Sequence, residues 1–188
     1  MAMRAGRLRH LAQLYSMSGE PPAPTLVNDI WCAIEPSARN LDMARRGLRA
    51  AQQTPIIARA WDELRADRYL TWRGRLWYID GVASREENNE YYHLSCTELV
   101  APEGTYTPST APAFQVKAYV VRSSQLTGQF ALPSQANAVV EVARFEYQVA
   151  WTYGDFIDLE GVTWDIHNTI DAGDDGVVVR LAANARER

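Results

Sequence analysis

Apolar and polar residues alternate through residues 69–99, YLTWRGRLWYIDGVASREENNEYYHLSCTEL. Alternation over short runs, bounded by Gly, Asn and Asp, predicts half-buried strands joined by tight turns. Residues 69–72 form the first strand and Arg73-Gly74 a turn. Residues 75–82 form the second, with Trp77 and Ile79 on one face. A polar turn over residues 86–90 leads to the third, residues 91–97. The pattern returns eighty-seven positions later. Gly161 answers Gly74, Trp164 answers Trp77, Ile166 answers Ile79 and Leu181 answers Leu94. Asp175-Gly176 stands where Asn88-Asn89 stood. The chain therefore reads as a duplicated small β-domain.

The flanking pattern extends each copy. Residues 10–17 alternate and predict a strand. SGEPPAP, residues 18–24, predicts a loop, because adjacent prolines cannot join a ladder. Residues 26–35 and 54–61 predict further strands. Between them, Leu41, Ala44, Leu48 and Ala51 share one helical face, so residues 41–53 predict a helix with a narrow apolar stripe. Gly47 weakens that helix by about 1 kcal/mol relative to Ala. Residues 101–113, with three prolines, predict a Pro/Thr/Ser linker. Strands follow at 114–122, at 138–150 (one or two), at 156–159, at 162–167 and at 176–182. The tail ANARER is expected to fray. The fold class is mainly β: two small antiparallel β-barrel or sandwich domains in tandem. The first, residues 1–100, carries a basic arm and a helix-containing loop over residues 37–53. The second is residues 114–188.

A chain of 188 residues buries about two-thirds of its unfolded surface, so a core needs no staples. Cys32 and Cys96 are the only cysteines and read as small buried apolar residues. The net charge of −4 is unevenly spread. Residues 1–98 carry thirteen Arg and twelve acids, whereas residues 99–188 carry five Arg, one Lys and eleven acids. Neither half is a bulk nucleic-acid binder. No apolar run reaches membrane-spanning length and no leader pattern opens the chain, so the expected location is cytosolic or within a particle.

The sequence offers little reaction chemistry. His10, His93 and His167 stand apart, without zinc-ligand spacing. Asp171 to Gly176 has Gly and Ala where a calcium loop needs oxygen ligands, and reads as a hairpin tip. Glu86, Glu87 and Glu90 flank a solvated turn, where nothing would tune a carboxyl for acid–base work. No nucleophile elbow or phosphate-cradling loop is present, so no enzyme and no cofactor or metal is expected. Two basic elements stand out as partner-binding. One is the arm with Arg4, Arg7 and Arg9. The other is the helical segment with Arg45, Arg46, Arg49, Gln52 and Gln53. In the first copy the outer side of the central hairpin carries Leu76 and Tyr78. Such an apolar outer face is a candidate inter-domain or inter-subunit contact.

Residues 1–99 resemble the head-tail joining, or head-closure (stopper), proteins of long-tailed phage necks. The resemblance rests on MRAGRLRH at the start, AIEPSARN (residues 33–40), AAQQTPIIARAW (50–61), RGRLWYIDGV (73–82) and YYHLSCTEL (91–99). It implies a β-barrel with a long helix-bearing loop and a homo-oligomeric ring, a hexamer, at the virion neck, assembled in the host cytoplasm. The implied partners are the portal-adaptor protein and the tail or tail-terminator protein. Phage genomic DNA would pass through the lumen without sequence-specific binding, past a loop that closes or lines the channel. Two departures stand beside it. Ser37-Ala38-Arg39-Asn40 replaces the Ser-Gly-Arg-Glu common in the family, and the second domain is extra. The alternatives are a tail-completion or tail-terminator protein, and a β-barrel that grips single-stranded nucleic acid with its aromatic residues.

Overall fold

The structure is a computed structural model that describes residues 8–34, 53–84, 90–122, 136–170 and 177–186. The chain divides into two compact units. All described regular structure is β. The first unit holds β1 (His10–Ser18), β2 (Ala23–Ile34), β3 (Gln53–Arg59), β4 (Tyr69–Trp72), β5 (Arg75–Ser84) and β6 (Tyr91–Glu98). The second holds β7 (Glu103–Thr107), β8 (Phe114–Arg122), β9 (Ala138–Ala143), β10 (Phe156–Leu159), β11 (Val162–Ile170) and β12 (Val178–Ala185). Each unit closes into a six-stranded barrel.

Strand order is the same in both. The first barrel runs β1-β2-β3-β6-β5-β4, and the second runs β7-β8-β9-β12-β11-β10. The ladders repeat residue by residue. Leu70 faces Trp77 in the first, and Ile157 faces Trp164 in the second. Each hairpin turns through two residues of positive φ, Arg73-Gly74 and Glu160-Gly161. That conformation matches the right-handed strand twist and favours Gly at the second position. Each long ladder then slips at one place, between Ile79 and Gly81 and between Ile166 and Asn168. The residue in the slip is held by the strand opposite: Thr97 donates to Asp80 at 2.7 Å, and Asn184 pairs with His167 at 3.1 Å. A bulge increases local twist, and here it sits where each sheet curls toward closure.

The barrels are filled by side chains. Trp77, Ile79, Leu94, Leu14 and Ile56 fill the first. Trp164, Ile166, Leu181, Tyr106 and Val140 fill the second. Trp77 is fully buried. By ladder register, Cys32 and Cys96 take the positions of Ala118 and Ala183, so the thiols serve as small core residues. The alternation that predicted Trp77/Ile79 and Trp164/Ile166 as inward pairs therefore reports the barrel interior.

Several boundaries differ from the sequence reading. The linker expected over residues 101–113 contains β7, which closes the second barrel by pairing with β8 and β10. Its prolines do not interrupt the strand. Pro102 and Pro108 flank it, and Pro112 stands just before β8. The Pro102 carbonyl accepts from Ala118 N–H at 3.1 Å. The tail expected to fray is carried in β12 as far as Ala185. In 138–150 only β9 is a strand; residues 144–150 turn away. The helix expected over residues 41–53 lies outside the described residues, except Gln53, which opens β3 as an exposed strand residue.

Truncating a filled barrel at its largest side chain leaves a void that so small a core cannot close. Trp77→Ala is expected to cost about 3–5 kcal/mol, whereas Trp31→Ala on the exposed surface should stay within about 0.5 kcal/mol. Urea unfolding followed by circular dichroism measures both.

Candidate functional site

The densest polar cluster lies at a corner of the second barrel. Tyr106 points inward from β7 where Leu14 points inward from β1. A phenol in that place needs a partner. Its hydroxyl donates to Asp155 Oδ2 at 2.7 Å and lies 3.2 Å from the Tyr147 hydroxyl. Asp155 also accepts from Ser109 N–H at 2.7 Å and from Thr152 N–H at 2.9 Å. Burial alone would raise the Asp155 pKa. The two backbone N–H groups and the Tyr106 hydroxyl outweigh it and hold the carboxyl below its ordinary value. Burial pushes the Tyr106 and Tyr147 phenols up, so both stay neutral. The carboxylate is 1% exposed and its acceptor positions are taken. The cluster is a saturated corner brace, with no space for a substrate between its members.

The two thiols are equally unsuited to nucleophilic work. Burial pushes Cys32 up to about 12 and raises Cys96 as well, and a thiol is weakly reactive while protonated. His10 Nδ1 accepts from Ile34 N–H at 3.1 Å, and His167 pairs with Asn184 across the bulge. Among the described residues no cluster of His, Cys, Asp and Glu could hold a metal ion.

The expected partner-binding residues divide as follows. Arg4, Arg7, Arg45, Arg46, Arg49 and Gln52 lie outside the described residues. Arg9 is exposed beside the start of β1, and Gln53 is exposed at the start of β3. Leu76 and Tyr78 are 2% and 5% exposed. Tyr78 meets Tyr69 edge to face with 5.3 Å between centroids and donates to Asp67. The face is apolar, as read, and both residues are buried within this chain. In the second barrel the corresponding face carries Thr163 and Asp165, with Asp165 paired to Arg186.

Nothing in the residue pattern signals an open cleft on the first barrel. The ladder between β2 and β3 ends at Cys32 and Ala58. Beyond that pair the strands part around a cleft of about 540 Å³ lined by Leu8, Asp29, Trp31, Arg59, Trp61 and Tyr91, among others. Trp31 is 57% exposed there. The equivalent ladder in the second barrel ends at the equivalent pair, Ala118 and Val142. There a segment of the same barrel reaches across the gap. Glu146 reaches over β8, accepts from the Lys117 backbone N–H and pairs with Lys117 Nζ at 2.6 Å. Alternation alone cannot distinguish a strand that leaves its neighbour from one that stays. Only the register of both copies reveals the difference.

The chain matches no family model, no curated protein and no solved structure.

Asp155 supplies a pH-dependent part of stability. Its folded pKa is depressed, so its contribution is complete above the unfolded value of about 3.9 and lost as pH falls through the folded value. Asp155→Asn should cost about 3 kcal/mol at pH 7, given hydrogen bonds to a charged acceptor. The deficit should shrink by about pH 3, as denaturant titrations at the two pH values would record. An undiminished deficit at low pH would assign the effect to shape and not charge.

Proposed function

We propose that this chain is a structural neck protein of a phage or phage-like particle, a ring-forming stopper between the portal-adaptor complex and the tail, with no enzymatic activity. One observation carries the reading. The first barrel releases its two basic elements side by side. His10, where the arm of Arg4, Arg7 and Arg9 joins the barrel, accepts a hydrogen bond from Ile34 N–H. Ile34 is where the chain leaves β2 for the segment with Arg45, Arg46 and Arg49. The all-antiparallel order places the Arg73-Gly74 turn at this same end. The acidic residues Asp62, Glu63 and Asp67 lie in the connection at the other end.

A protein that holds a channel around DNA needs stiff bodies, extensions that grip neighbours and a surface that does not trap phosphate. Filled barrels supply the first, and the two basic elements supply the second. The net charge of −4 supports the third. Heterologous contacts between copies close into rings when the rotation per subunit divides a full turn. The helix-bearing loop of the resembling family would fall in the β2–β3 connection, lining or closing the channel. The second barrel, a copy of the first without the arginine-rich segment, suits a second layer or a tail-facing platform. A tail-completion or tail-terminator role, capping the tail tube, uses the same features.

Native mass spectrometry of the purified chain, followed by electron microscopy with the upstream adaptor, tests this. A closed ring that docks on the adaptor is expected. Replacing Arg45, Arg46 and Arg49 together by Glu should abolish docking while leaving the β-rich circular dichroism spectrum intact. A monomer indifferent to the adaptor would contradict the reading.

A further inference from the structure

We propose that the cleft beside Trp31 is a docking groove for a partner polypeptide that presents a carboxylate next to an apolar side chain. This goes beyond the neck reading and does not depend on it. The second barrel supplies the template. Position by position along the ladders, Trp31 corresponds to Lys117, Arg59 to Ala143 and Ala60 to Arg144. The backbone stays equivalent up to this last pair: Ala60 N–H donates to Glu90 O at 2.8 Å, and Arg144 N–H donates to Val177 O at 2.9 Å.

After it the paths separate. In the second barrel a turn, with Glu146 N–H and Tyr147 N–H both donating to Ala143 O, sets Glu146 onto β8. With Glu146, the residues Phe145, Gln148 and Val149 line a smaller cavity of about 470 Å³ against Phe114 and Gln115. In the first barrel Trp61 takes the place of Phe145, and Leu64 N–H bonds back to Trp61 O. Leu64 is drawn into the core. Asp62, counterpart to Glu146, is exposed and does not line the cleft. Among the described residues, the first barrel therefore has a groove over which no counterpart of Glu146 reaches.

The groove's own groups select the occupant. In the second barrel the cation beside Glu146 is Lys117. In the first, Trp31 replaces that lysine, and Arg59 from the facing strand brings a guanidinium suited to a carboxylate. Trp31 and Trp61 offer apolar faces for a neighbouring side chain. Asp29 stands where Gln115 stands, two residues along the strand and so about 7 Å from Trp31. It repels a second acid there and accepts from an amide, as Gln148 of the template would supply. The occupant is then an acid flanked by an apolar residue, with an amide or cationic donor two positions on.

The chain's own sequence provides the probe. An acetylated, amidated peptide of residues 143–149, Ala-Arg-Phe-Glu-Tyr-Gln-Val, titrated into the ¹⁵N-labelled full chain, should shift the amide signals of Ile30, Trp31, Arg59 and Ala60 and the Trp31 indole. The shift should saturate. Glu146→Gln in the peptide, or Arg59→Ala in the protein, should weaken binding about tenfold through loss of a charge-assisted pair. Trp31→Ala should weaken it further, with signals of the second barrel unmoved. The proposal is overturned if these signals stay still or the Gln peptide binds equally well. It is overturned also if sedimentation shows a self-association that Trp31→Ala abolishes, because the groove would then serve a second copy.

Discussion

Six short antiparallel strands close on themselves only if curvature is concentrated somewhere, and in this chain it is concentrated twice at corresponding positions. A two-residue turn of positive φ starts the central hairpin, and a one-residue slip bends its ladder five to seven residues later. Closure pairs each strand with a neighbour on either side and leaves an interior wide enough only for packed side chains. That constraint explains why the same few positions stay large and apolar in both halves. Trp77, Ile79 and Leu94 pack together in one core, and Trp164, Ile166 and Leu181 in the other. Among the described residues both interiors are filled by packed, mainly apolar side chains.

What distinguishes the halves lies at the corners and on the outer faces. Residue 68 and its counterpart 155 use the same backbone carbonyl, which accepts from Ile79 N–H in one barrel and from Ile166 N–H in the other. Their side chains diverge. Arg68 pairs with Glu63 at 2.8 Å, whereas Asp155 braces Tyr106. Arg75 and Glu98 form a two-pronged ion pair, with Nε to Oε1 at 2.6 Å, at the mouth of the first barrel. Val162 and Ala185 occupy those positions in the second. Polar pairs of this kind contribute modestly beside core burial, but breaking one partner of a buried pair leaves a stranded charge. The duplicated frame therefore tolerates exchange wherever each polar group finds a new partner.

The sequence discloses the frame better than the surface, for a physical reason. Period-two alternation and turn glycines report burial on one face, and closure makes burial almost the whole determinant of residues 69–99. The repeat at residues 156–181 was legible on the same grounds. β7 escaped because its prolines resemble linker chemistry. Only the ladder shows that Pro102 and Pro108 stand just outside the strand's ends, where a missing N–H costs nothing. Leu76 and Tyr78 were legible as an apolar outer face. That this face is covered within the chain depends on packing across distant positions, which no local pattern encodes. The Trp31 cleft was hidden for a related reason: it arises from a divergence of two neighbouring strands, and strand residues read alike whether or not a neighbour is present.

The central claim is that two equivalent closed barrels carry the fold. Amide hydrogen exchange of the full chain tests it directly, because protection follows the cooperative hydrogen-bonded unit. Two matched maxima are expected, one over residues 77–82 and 94–99 and the other over 164–169 and 181–186, with Ile79 and Ile166 among the slowest amides. Protection in one half alone, or maxima at positions that do not correspond, would contradict the account.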